Sequence, residues 1–80
     1  MSSTAEKAKA YPAIVSVRVG QDTITAGMSD GREVSIPIAW FPRLVTATKE
    51  QLGKFEISPS GYGIHWPDVD EDISVKAFLD

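Results

Sequence analysis

Along the first third of the chain, Val15, Val17 and Val19 alternate with Ser16 and Arg18, and Ile24, Ala26 and Met28 alternate with Thr23, Thr25 and Gly27. A period of two is that of a strand with one buried face, so two strands are predicted around the turn at Gly20 to Asp22. Setting Val19 opposite Ile24 also sets Val17 opposite Ala26, and both apolar sets then share one face. The next turn, at Asp30-Gly31, can be typed from the same pattern. A two-residue loop would place Met28 opposite Glu33 and turn Val34 to solvent. A three-residue loop, Ser29-Asp30-Gly31, pairs Met28 with Arg32, Ala26 with Val34 and Ile24 with Ile36. Only the second keeps the hydrophobic positions together, which predicts a type I turn with Gly31 left-handed in a G1 bulge. A third strand over Arg32 to Ile36 comes next, ended by Pro37.

Ile38 to Val45 is apolar and aromatic, and Phe41, Leu44 and Val45 fall at helical spacing, consistent with one helical turn beginning near Pro42. Thr48-Lys49-Glu50-Gln51 matches a capping box and predicts a short helix from Lys49 to about Gly53, with Leu52 as its apolar anchor. Phe55 and Ile57 alternate with polar neighbours as a fourth strand. Pro59-Ser60-Gly61 turns it back, with Ile57 opposite Tyr62 and Phe55 opposite Ile64. Tyr62, Ile64 and Trp66 alternate with Gly63 and His65, and Pro67 stops this ladder. The acids after it lead to Ser74, read as the N-cap of a closing helix over Val75 to Leu79. The prediction is an α+β domain: an antiparallel three-stranded meander plus a second β-hairpin, with two or three short helices packed on one side. Residues 1–12 read as a disordered lead-in and residues 13–80 as a single domain.

Composition narrows the function classes. Eighty residues bury only about 60% of their unfolded surface, which leaves little room for a large internal cavity. The chain has no cysteine, which removes disulfides, thiolate metal sites and a cysteine nucleophile together. No apolar run approaches the roughly 20 residues of a membrane span, and no signal-peptide core is evident, so a cytoplasmic protein with no membrane partner is expected. The net charge of -3 is uneven: residues 1–54 carry seven Lys/Arg against five Asp/Glu, and residues 55–80 carry one against six. An acidic end suits a basic partner surface better than phosphate.

The stretch from Gly61 to Ser74 concentrates the candidate chemistry, holding the single histidine, one of two tryptophans and four of eleven acidic residues. His65 could serve a metal or acid-base site only by recruiting Asp68, Asp70 or Glu71, and a lone strand histidine is more often a surface or hydrogen-bonded residue. Asp68-Val69-Asp70-Glu71-Asp72 copies the start of a calcium loop, but the sixth position is Ile73 and the twelfth is Leu79, where glycine and glutamate are required. Gly61-Tyr62-Gly63 precedes a strand where a nucleotide fingerprint needs a helix. Arg18, Arg32, Arg43, Lys49 and Lys54 are dispersed, with no aromatic platform among them. The tryptophans are core by default, but Trp40 and Tyr62, if exposed beside Arg43, have the composition of an interface hot spot.

Asp30-Gly31-Arg32, Pro37, Trp40-Phe41-Pro42-Arg43-Leu44, Ala47-Thr48, Gly63-Ile64-His65-Trp66-Pro67 and Asp70-Glu71-Asp72-Ile73-Ser74-Val75 together resemble the small bacterial domain-of-unknown-function family 2442, over roughly residues 13–80. The resemblance implies a small α+β domain without an assigned activity. Some members stand beside a short partner protein in an arrangement like a toxin-antitoxin pair. Others carry an appended helix-turn-helix, for which 80 residues leave no room. It implies no catalytic residue, cofactor or metal ligand. The leading expectation is therefore a non-enzymatic protein-interaction module, antitoxin-like, meeting a basic partner encoded nearby. Its candidate surface is Trp40, Arg43, Tyr62, His65, Trp66, Asp70, Glu71 and Asp72. The alternatives are a small-ligand or metal site at His65 with nearby carboxylates, and a nucleic-acid-binding accessory domain using the Arg18 and Arg32 face, though nucleic acid is not expected as the partner of this domain alone.

Overall fold

A computed structural model describes residues 11–79. The predicted lead-in therefore lies, except for Tyr11 and Pro12, outside the described residues, as does Asp80. Strands β1 (Ile14–Val19), β2 (Thr23–Met28) and β3 (Glu33–Pro37) form an antiparallel meander. A 3₁₀ turn (Ile38–Trp40) and the helices α1 (Pro42–Val45) and α2 (Lys49–Gly53) lead to a second antiparallel sheet of β4 (Glu56–Ile57), β5 (Gly63–Trp66) and β6 (Glu71–Ser74). The short helix α3 (Lys76–Leu79) closes the chain and packs on β3 and β6. The fold is α+β, as the sequence predicts.

The meander has the register its side-chain pattern demands. Val19 pairs with Ile24 and Val17 with Ala26, while Ile24 pairs with Ile36 and Ala26 with Val34. The Met28 N–H donates to the Arg32 carbonyl at 2.8 Å and the Gly31 N–H to the Met28 carbonyl at 3.0 Å, with Gly31 at φ +98°. The three-residue loop with a left-handed glycine is thus confirmed. Asp30 locks it from the side chain, accepting from Arg32 Nε at 2.8 Å and Arg32 N–H at 3.2 Å. Those two hydrogen bonds hold its carboxyl below the usual carboxylate range.

The start of β1 departs from simple alternation. A bulge between Ile14 and Ser16 pairs Ile14 with Met28, and Val15 is left 60% exposed. The inserted residue shifts the phase by one, so Ile14 rather than Val15 enters the core.

The second sheet corrects the sequence reading in two places. The first is register: Glu56 pairs with His65 and Ile57 with Ile64, two residues from the predicted pairing. The turn is longer than Pro59-Ser60-Gly61 alone, because Ser58 Oγ accepts from the N–H groups of Tyr62 and Gly63 at 3.0 and 3.1 Å, which removes Tyr62 from the ladder. The second is the acidic stretch, where Glu71–Ser74 forms a third strand instead of a helix approach. The tight turn after Trp66 is made possible by Asp70 at φ +54°, a left-handed position that aspartate tolerates. The closing helix begins at Lys76, one residue later than predicted, so Ser74 ends β6, and its Oγ accepts from the Lys76 N–H at 3.1 Å just before the helix.

Both sheets share one core. Ile24, Ala26, Met28 and Ile36 come from the first sheet, Ile64, Trp66 and Ile73 from the second, and Leu44, Val75 and Phe78 fill in around them. Trp66 is fully buried, its ring 6.1 Å from that of Phe55, and its indole N–H donates to the Leu52 carbonyl at 3.0 Å. Burying an indole is worth roughly 4–6 kcal/mol on an area basis, a large share of what a domain this small has in total. The bond to Leu52 also ties α2, whose capping box forms as predicted through Thr48 and Gln51, to that ring.

The sheets meet at Gly61, whose carbonyl accepts from the Ile14 N–H at 2.7 Å. A Cβ there would lie 2.7 Å from Ala13 Cβ and 2.8 Å from the Ile14 carbonyl oxygen, and φ is +75°. Gly61→Ala should therefore cost more than the roughly 1–2 kcal/mol of a left-handed alanine. Gly31→Ala, with nothing within 4 Å of the new Cβ, should cost only that amount; equal losses in urea denaturation would contradict the close-packed joint. Asp30 gives a pH-dependent counterpart. Its folded carboxyl titrates below the unfolded value, so its stabilisation is present above about pH 4 and fades as pH falls through the folded value. The stability difference between the wild type and Asp30→Asn should shrink on acidification, and a difference that grows would refute this.

Candidate functional site

The outer face of the second sheet is built by alternation. With Ile57, Ile64 and Ile73 aligned across the three strands and directed inward, the adjacent row, Glu56, His65 and Asp72, points outward. His65 therefore sits between two carboxylate-bearing residues on neighbouring strands. Its Nδ1 lies 2.7 Å from Asp72 Oδ1, and the two side chains are 39% and 75% exposed. Because a carboxylate can only accept, Nδ1 carries a proton and donates to Asp72. Such an Asp-His pair is the orienting half of an acid-base site. The nearby hydroxyls are turned to the backbone instead: Ser58 Oγ accepts from Tyr62 and Gly63, and Ser74 Oγ from Lys76. Among the described residues no group of three His, Asp or Glu side chains could hold a metal ion.

A concavity of about 390 Å³ opens over this face, lined by Ser58, Tyr62, Gly63, His65, Asp72 and Ser74 among others. A second one, of about 500 Å³, lies between the β1–β2 turn and α2, lined by Gln21, Lys49 and Phe55 among others. Only the first brings together residues singled out from the sequence: Tyr62, His65 and Asp72. Tyr62 is 64% exposed.

The remaining candidates divide. Trp40, on the 3₁₀ turn, is 61% exposed. Arg43, on α1, donates from Nη1 to the Asp70 carbonyl at 2.5 Å and lies 3.8 Å from its carboxylate, so α1 clasps the β5–β6 turn. Glu71 is half-buried opposite Trp66. Trp66 itself is core and presents no surface. Glu56, Ser58 and Ser74 were missed in the sequence, because the shifted register set Glu56 opposite Gly63. A four-residue turn over Pro67–Asp70 was the available signal for the correct strand.

On the meander, Arg18 pairs with Glu33 at 3.1 Å and Arg32 with Asp30 at 2.8 Å. Each of the two cations offered for nucleic acid thus has a carboxylate of its own chain beside it.

The model of the family described as "Protein of unknown function (DUF2442)" matches residues 14–80. The chain belongs to the DUF2442 family. Two solved structures share this DUF2442 fold. A protein of unknown function from Rhodospirillum rubrum superposes with a TM-score of 0.76 at 25% identity, over 88% of this chain and 87% of that one. An uncharacterized protein from Chromobacterium violaceum superposes with a TM-score of 0.74 at 29% identity, over 98% of this chain and 73% of that one. A comparison with curated proteins finds no match. Among the described residues no helix is long and apolar enough to cross a membrane.

The His65–Asp72 pair makes a spectroscopic prediction. Long-range ¹H–¹⁵N correlation of the imidazole should show neutral His65 as the Nδ1–H tautomer, and Asp72→Ala should release it while changing stability by less than about 1 kcal/mol, as for exposed ion pairs. An Nε2–H tautomer in the wild type would disprove the assigned geometry.

Proposed function

We propose that this DUF2442 domain is a non-enzymatic, cytoplasmic protein-interaction module that docks on a basic partner protein encoded nearby, as the neutralising, antitoxin-like half of a two-component bacterial pair. The observation that carries the reading is the exposure of Trp40 and Tyr62, 61% and 64%, on a domain whose other tryptophan is fully buried. Large exposed aromatics are among the residue types that dominate binding energy at interfaces. The acids of the β5–β6 hairpin add the charge. Asp68, Asp70 and Asp72 are all exposed, and each faces one basic group of its own chain: Lys54 at 3.9 Å, Arg43 at 3.8 Å and His65 at 2.7 Å. Exposed pairs of this kind are weak, so an incoming cationic surface can compete for the carboxylates. The arrangement of some family members beside a short second protein gives the search for that partner its direction.

Co-expression with the product of the adjacent gene should give a complex that co-purifies. Reversing Asp70, Glu71 and Asp72 to lysine should abolish or strongly weaken it, with a loss steepest at low ionic strength. A wild-type protein that elutes free of any partner, or a complex indifferent to the reversal, would count against the reading.

A further inference from the structure

We infer that the concavity on the outer face of the second sheet is a receptor for an arginine side chain of the basic partner; this rests on the partner reading above and assigns its central contact. Among the described residues, three polar atoms around the concavity have no hydrogen-bond partner: the Tyr62 hydroxyl, His65 Nε2 and the second carboxylate oxygen of Asp72. In the tautomer whose Nδ1 donates to Asp72, Nε2 is an acceptor, and the free carboxylate oxygen accepts only. No lysine or arginine lines the concavity, so it holds no permanent cation that would repel a guanidinium.

A guanidinium fits each of these facts. It carries five N–H donors in a planar fork and no acceptor, so it can meet the free carboxylate oxygen of Asp72 while its flat face lies on the largely apolar lining. Its flat, weakly hydrated cation stacks on aromatic faces, and Tyr62 is the exposed ring at the rim. Gly63 leaves the floor without a side chain. A Cβ there would sit 3.0 Å from the Ile73 carbonyl oxygen, so glycine keeps the floor open and lets β6 approach. An ammonium would gain the charge contact and lose the fork and the stacking, which sets arginine above lysine at this point.

The test is a ¹⁵N-edited NMR titration of the full chain with N-acetyl-arginine-methylamide. Saturable shifts are expected at the amides of Gly63, His65, Asp72 and Ser74. The citrulline analogue, which keeps the shape and loses the charge, should bind at least about tenfold more weakly, and Asp72→Asn and Tyr62→Ala should each weaken the arginine probe by about the same factor with the rest of the spectrum unchanged. Free L-arginine binding more tightly than the blocked form would point to a metabolite and overturn the docking assignment. So would citrulline binding equally well, shifts centred on residues 67–71, or no saturable shift at tens of millimolar probe. If that last result accompanies a partner that still co-purifies with Tyr62→Ala, the receptor is wrong and the basic-partner reading stands. Saturable arginine shifts without any co-purifying neighbour retire that partner and keep the receptor.

Discussion

The architecture hangs on one close backbone contact. The turn after β4 lays Gly61 against the first residues of β1, and the Ile14 amide donates to its carbonyl. Neither three-stranded sheet could bury its apolar face alone, since a single layer needs a second element packed against that face. Bringing the two together at this joint lets the isoleucines of both contribute to a single core with Trp66 in it. The Val75 amide then donates to the adjacent Tyr62 carbonyl, which draws the start of the closing helix onto the same joint. A side chain at position 61 would push the sheets apart, so the glycine's lack of one is the feature that permits the contact.

How far the sequence could be read depended on where it contained redundant information. In the meander, three strands carry enough alternating aliphatic positions that only one loop length keeps them on one face, and the Asp30-Gly31 turn agrees with that choice. The second sheet has fewer constraints. Tyr62 looks like the first apolar residue of a strand, but Ser58 captures its amide and lifts it out of the ladder. A register error of two residues leaves every side chain on its proper face, so hydrophobic patterning alone could not detect it. In β6 only Ile73 marks the buried face, and the surrounding acids read equally well as the approach to a helix. The left-handed Asp70 that makes the strand possible is a conformation, and no composition rule announces it.

The candidate site was legible as a set of residues and not as an arrangement. Tyr62, His65 and Asp72 were all prominent in the chain, yet their meeting over Gly63 depends on the corrected register and on the unrecognised strand. The two tryptophans show the same limit. Their neighbourhoods are similarly apolar, but Trp66 points into the core through strand alternation, while Trp40 sits on a 3₁₀ turn between two prolines and remains outside. Charge was informative mainly in bulk: the acidic end is real, while the individual cations of the meander are tied to carboxylates beside them.

The bulge at the start of β1 has a further consequence. β1 is an edge strand of the meander, and a regular edge rich in valine is a template on which another chain could add, growing intermolecular sheets. The extra residue breaks the flatness of that edge, and Arg18 places one charge on it. A single inserted position thereby lets a very small protein keep a strongly β-forming segment at its margin while resisting self-association into fibres.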